Sequence, residues 1–162
     1  METLPLHIAI EAKDEKAVDR ILTEGANPNE EGYSGMYALE HAINENLSKE
    51  TIENLLNHGA NIEGSPFFPA LITASAGGHT AAIKLLLEAG ADPNVIDVEE
   101  EEETPLTYSA FLGNDEAIRL LLTFGADPHK TNRAQESPLE IARQQGHSEA
   151  LALLQAADSQ PD

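Results

Sequence analysis

Leu86-Leu87-Glu88-Ala89-Gly90-Ala91-Asp92-Pro93-Asn94 decides how the rest of this 162-residue chain is read. The stretch ends an apolar run in a Gly-Ala-Asp-Pro turn, and the same ending returns elsewhere. Glu24-Gly25-Ala26-Asn27-Pro28-Asn29, His58-Gly59-Ala60-Asn61-Ile62-Glu63 and Phe124-Gly125-Ala126-Asp127-Pro128-His129 are its counterparts. Their glycines are separated by 34, 31 and 35 residues. Nineteen or twenty residues before each glycine stands a leucine that opens an apolar run: Leu6, Leu39, Leu71 and Leu106. Leu139 opens a fifth run. Three residues after each leucine comes a small residue: Ala9, Ala42, Ala74, Ser109 and Ala142. Self-similarity at such a period is the mark of a repeat architecture.

Inside each unit the apolar residues fall at helical spacing in two groups. Leu6, Ala9 and Ile10 share one face of a first helix; Ala17, Val18, Ile21 and Leu22 share one face of a second. The second stripe recurs as Ala82-Ile83-Leu86-Leu87, Ala117-Ile118-Leu121-Leu122 and Ala150-Leu151-Leu154. Gly78, Gly113 and Gly146 lie between paired helices, where a left-handed residue ends the first helix. Helices this short are marginal alone, and each unit carries apolar surface on both sides. Stacking against neighbours buries both, so the predicted fold is an all-α repeat solenoid.

The motifs resemble those of the ankyrin repeat, a pattern of about 33 residues with Thr-Pro-Leu-His-x-Ala near its start. Leu4-Pro5-Leu6-His7-Ile8-Ala9, Thr104-Pro105-Leu106-Thr107-Tyr108-Ser109 and Ser137-Pro138-Leu139-Glu140-Ile141-Ala142 match that opening. Gly78-His79 and Gly146-His147 match the Gly-His between helices, and Leu86 to Asn94 nearly completes the closing motif. The resemblance implies stacked helix-turn-helix units joined by β-turn fingers. The units run over about residues 3–35, 36–67, 68–102, 103–135 and 136–157, the last a degenerate cap. The whole domain covers 1–157, followed by a disordered tail, 158–162. The second unit lacks proline at the first helical turn and carries one extra residue around Leu47 to Glu50, so a different inter-helix turn is expected. The third unit has its proline, Pro69, one place early.

Charge narrows the function. Acids number 29 against 9 Lys and Arg, a net charge of −20. Nucleic acid demands a basic footprint, and anionic membranes repel such a chain, so neither is an expected partner. A protein with basic surface is favoured by steering. No cysteine is present, which removes disulfides and thiolate metal sites and suits a reducing compartment. The first residues show no basic n-region before an apolar run. No secretory leader is expected, and the cytoplasm, or the nucleus, is the expected compartment. The six histidines lack His-x-x-x-His or His-Glu-x-x-His spacing, and no phosphate-cradling glycine loop occurs. A non-catalytic monomer without metal or cofactor is therefore expected. His7 resembles the family histidine that bonds finger backbone, and His79 and His147 the inter-helix histidines. His41, His58 and His129 are scattered over different units.

The resemblance places binding on the concave groove formed by the fingers and the exposed side of the first helices. The fingers are residues 27–36, 61–68, 92–103 and 127–136. Candidate groove residues on the helices are Glu11, Asn44, Glu45, Tyr108, Phe111, Leu112, Gln144 and Gln145. In the second finger Phe67 and Phe68 stand together, in a chain with only four Phe. Either could plug the core or face the groove, and Phe111 could equally pack between units. In the third finger Glu99, Glu100, Glu101, Glu102 and Glu103 run consecutively. They read as a solvated tip or as a site for a Lys/Arg-rich segment. Asn29 and Asn94 match the finger asparagine that is hydroxylated in ankyrin repeats of animal cells. The expected role is a protein-interaction module. An inhibitor or immunity-type protein covering a basic enzyme is the alternative, and a structural assembly subunit a minor one.

Overall fold

The computed structural model describes residues 5–32, 35–97 and 102–159. Among them are ten α-helices: α1 (Pro5–Glu11), α2 (Glu15–Thr23), α3 (Ala38–Asn44), α4 (Lys49–Asn57), α5 (Ala70–Ala76), α6 (Thr80–Glu88), α7 (Pro105–Leu112), α8 (Asp115–Thr123), α9 (Pro138–Gln145) and α10 (Ser148–Asp158). They form five antiparallel pairs. First helices pack on first helices, in the order α1, α3, α5, α7, α9, and second helices on second helices, so the stack has two layers. Leu39, Leu71, Leu106, Ile83, Leu86 and Ile118 are all but fully buried between them, and the buried side chains form one continuous core. This is the all-α solenoid that the repeat predicts.

Local chemistry explains the recurring motifs. Pro105 and Pro138 occupy the first helical turn, where a missing N–H costs nothing. The Thr104 and Ser137 hydroxyls accept from the backbone N–H of Thr107 and Glu140, whose side chains return the bond. Pro69, one place early, becomes the residue before α5 and leaves that helix without a side-chain cap. At the other end, Gly90 sits at φ +102°, which no side chain adopts without strain, and lets the chain leave α6 toward its finger. The second unit's extra residue is Ser48. The bond from Leu47 N–H to Ala42 C=O copies that from Asp14 N–H to Ala9 C=O. Leu47 is buried in the place of the capping Asp14, and Ser48 takes over the cap of α4. The Ser48 hydroxyl also donates to the Glu15 carboxylate, and Thr51 Oγ1 donates at 2.6 Å. These two hydroxyls hold the Glu15 carboxyl below the usual range.

The closing motif has two separate jobs. Its first Asx side chain accepts from the backbone two residues on. Asn27 does so from Asn29 N at 3.0 Å, Asp92 from Asn94 N at 2.9 Å and Asp127 from His129 N at 2.9 Å. Its final Asn clamps the next unit. Asn94 Nδ2 donates to Gly125 O at 3.0 Å while its Oδ1 accepts from Asp127 N at 2.7 Å. Asn29 does the same to Gly59 O (2.8 Å) and Asn61 N (2.7 Å).

At the far end, α10 continues through Asp158, one residue past the expected end of the domain. Asp158 Oδ1 lies 3.3 Å from His129 Nδ1, a tie to the fourth finger that the tail reading did not include. Ser159 is the C-cap of α10, and residues 160–162 lie outside the described residues.

The residue after the leading leucine holds the finger above it. His7 is buried, its Nε2 3.2 Å from Glu30 O, as its motif implies. The ring leaves Gly32 no room for a Cβ, which would approach it to 2.5 Å. His41 is not isolated. Its Nδ1 lies 2.9 Å from His7 Nδ1, with the rings stacked at 5.2 Å, because successive first helices bring them together. In the second unit Glu40 stands where His7 stands in the first. It is 0% exposed, and one carboxylate oxygen accepts from Ser65 N in the Phe67-Phe68 finger. Its other oxygen has no partner. Burial pushes the Glu40 carboxyl above the ordinary range, against the backbone bonds that favour its charge.

Two outcomes follow. Leu86→Ala removes a fully buried side chain from the central pair and is expected to lower unfolding free energy by about 2–5 kcal/mol in urea titration; a loss below about 1 kcal/mol would contradict this core. Glu40 gains protons on folding, so its contribution weakens as pH rises through its raised folded-state pKa. Gln mimics the protonated form. The melting temperature of Glu40→Gln is therefore expected to gain on the parent chain as pH rises above the ordinary carboxylate range. A difference independent of pH would show that Glu40 does not titrate there.

Candidate functional site

On the concave side, one position per unit is set by the fold to look into the groove: the last finger residue before each first helix. These are Met36, Phe68, Glu103 and Glu136, which precede the helix-capping residues Tyr37, Pro69, Thr104 and Ser137. The series is apolar in the first half of the stack and acidic in the second. Facing it are two rows from the first helices. One holds Ile8, His41, Thr73, Tyr108 and Ile141; the other holds Glu11, Asn44, Ala76, Phe111 and Gln144.

Two adjoining recesses result. The first, of about 520 Å³, is lined by Met36, Asn44, Phe67, Phe68, Ile72, Asp97 and Tyr108 among others. Phe67 is 55% exposed and Phe68 37%, so neither plugs the core. The finger that carries them is pinned by the antiparallel bridge of Gly64 with Pro69 and by the bond from Ser65 to Glu40. The second recess, of about 290 Å³, is lined by Glu103, Thr107, Tyr108, Phe111, Asn132, Glu136, Ile141, Gln144 and Gln145. Tyr108 walls both recesses, and its hydroxyl lies 3.4 Å from Asp97 Oδ2. Phe111 is 53% exposed rather than packed between units.

The structure separates some residues that the sequence groups. Phe111 and Leu112 do not form one patch. Consecutive helix positions point about 100° apart, and Leu112 turns toward the inter-helix turn at Gly78 while Phe111 lines the second recess. The turn of the fourth unit is held from the other side, where His147 Nε2 lies 3.0 Å from Phe111 O. Glu11 is exposed at the end of α1. Glu45 is engaged at the turn between units: Lys13 Nζ donates to its carbonyl at 2.8 Å and lies 3.5 Å from its Oε2. Gln144 Nε2 donates to Glu136 Oε1 at 2.8 Å, and Gln145 is exposed beside it.

Of the five-glutamate run, Glu102 and Glu103 lie among the described residues. Glu99, Glu100 and Glu101 lie outside the described residues. Glu102 is exposed, at φ +57°, and pairs with Arg133 at 3.5 Å. Glu103 is half-buried: its carbonyl accepts from Asp97 N at 2.9 Å, and its Oε1 from Asn132 Nδ2 at 2.9 Å. The run therefore ends in a residue fixed to the next finger, which a reading of like charges in sequence does not anticipate. Asn29 and Asn94 are half-buried, with both amide atoms used in the clamps between units. Sequence reading missed Met36, Asp97, Asn132 and Glu136. The aligned position before each helix cap was the available signal for Met36 and Glu136; Asp97 and Asn132 had none.

Among the described residues no group of three or more His, Asp or Glu converges as a metal site, and no helix is long and apolar enough to cross a membrane. A family model for ankyrin repeats in three copies matches residues 6–97 and again 71–162. The human transient receptor potential cation channel subfamily A member 1 is 34% identical over 92 residues, which is 55% of this chain. The chain spans 8% of the length of that relative. Ankyrin repeats generally serve as protein-interaction modules, and with nearly its whole length matched by their model and built as five stacked helix pairs, the chain belongs to the ankyrin-repeat family.

Proposed function

We propose that this domain binds a protein partner along its concave face, without catalysis, and that the partner presents apolar side chains beside basic ones. The observation that carries this reading is the exposure of Phe67, Phe68 and Phe111 on one face, lining two recesses whose far end is edged by Glu103 and Glu136. Exposed aromatics in preformed hollows are the usual anchors of an interface. Neighbouring carboxylates select a cationic segment and speed its encounter. The net charge of −20 repels second copies of the chain, which supports a monomer. The lack of cysteine suits work in the cytoplasm or nucleus. The same charge also fits an inhibitor that covers a basic enzyme. In that case the captured partner is an enzyme whose activity falls on binding.

The test is affinity capture from the native source at low and high salt, with the parent domain and the double variant Phe67→Ala/Phe111→Ala. Partners are expected to be basic, to elute as salt rises, and to bind the double variant at least roughly thirtyfold more weakly, the loss of an interface anchor of about 2 kcal/mol. Both aromatics are exposed, so the melting temperature of the variant is expected to stay within a few degrees of the parent. Partners held equally by both forms, or held independently of salt, would refute this reading.

A further inference from the structure

The second recess has a more specific chemistry than an acidic edge. Its walls are the rings of Tyr108 and Phe111 and the side chain of Ile141, and no Lys or Arg lines it. Glu103 gives one carboxylate oxygen to Asn132, while the other, Oε2, is shielded from water and has no hydrogen-bond partner. Glu136, the equivalent residue one unit on, holds Gln144 through Oε1. The chain's own nearby arginine, Arg133, pairs outside with Glu102. That oxygen is closed off by the chain itself, so Glu103 brings negative charge to the recess rather than an open acceptor.

Aromatic walls and two carboxylates lining one recess together favour a guanidinium. It is planar, so its face can rest on a ring while its edge donates to a carboxylate. It also sheds water more readily than an ammonium, which suits a hollow with apolar walls. We propose that the recess between Tyr108, Phe111, Glu103 and Glu136 seats one arginine side chain of the partner. This rests on the reading of the concave face as a protein-binding surface. It adds the identity of one residue that the partner brings.

The probe is N-acetyl-arginine-methylamide, titrated into the full isotope-labelled chain while the side-chain amide signals of Asn132, Gln144 and Gln145 are followed by NMR. Saturable shifts at these signals are expected. The neutral citrulline analogue is expected to produce none, and the lysine analogue to bind several-fold more weakly. Glu136→Gln and Glu103→Gln are each expected to weaken arginine binding several-fold. Glu103 also holds the neighbouring finger, so Glu136→Gln, whose carboxylate holds Gln144 of the same unit, is the variant whose melting temperature must stay unchanged. Equal responses to arginine and lysine, or arginine shifts that survive both substitutions, would overturn the proposal. Partner capture separates this proposal from the broader one. If Glu136→Gln and Glu103→Gln retain the partner at full affinity while Phe67→Ala/Phe111→Ala loses it, the arginine seat falls and the binding face stands. If the aromatic variant retains it too, the face itself is wrong.

Discussion

One side chain, the amide at the end of each closing motif, sets how firmly a unit is tied to the next. Asn29 and Asn94 each satisfy a backbone C=O and a backbone N–H of the following unit. The amide does both because it carries a donor and an acceptor on two separate atoms of one plane. Where Glu63 replaces it, only the acceptor half survives, as a 3.3 Å bond from Asp92 N. At the last junction His129 replaces it and turns to Asp158 instead. The finger ladder is therefore doubly bonded after the first and third units and thinner after the second. Helix stacking supplies the burial at every junction, and the clamps fix the angle at which one finger follows another.

That division of labour frees the groove. Helix faces, caps and closing turns are committed to making each unit and joining it to its neighbours. The finger residue before each cap and two rows on each first helix are not. Along this stack those positions change from Met36 and Phe68 to Glu103 and Glu136, with Tyr108 between. The finger series thus has a direction, apolar before α3 and α5 and acidic before α7 and α9. A partner segment of matching order is distinguished from its reverse by the charge it would bring to the apolar end.

The period, the helix pairs and the turning glycines were legible because each rests on local chemistry repeated along the chain, and the role of His7 because its motif carries it. The displaced cap at Ser48 was legible as an extra residue, and the structure shows why it is harmless: Leu47 is apolar and goes inward. What stayed hidden depends on contacts between units. Glu40 looks like a surface residue of an acidic chain until the finger folds over it. Glu103 looks like the end of a repulsive run until Asn132, 29 residues on, meets it. His41 looks isolated until α3 packs on α1. Phe67 and Phe68 could be placed on a finger but not on a side of it, because an aromatic in a turn obeys no periodicity.

The carboxylates of this chain show why its acidity cannot be treated as one quantity. Glu15 and Glu140 accept from hydroxyls and backbone at helix starts, and their charge is stabilised where it stands. Glu40 and Glu103 each retain one buried oxygen that nothing in the described structure satisfies. Their situations differ. Glu40 is sealed beneath a finger, where no partner can reach it, and burial moves its equilibrium toward the proton. Glu103 lines an open recess walled by two aromatic rings. A fold can meet the first deficit internally, by taking up a proton. The second stands at the wall of a recess, where a cation from another molecule can approach its charge.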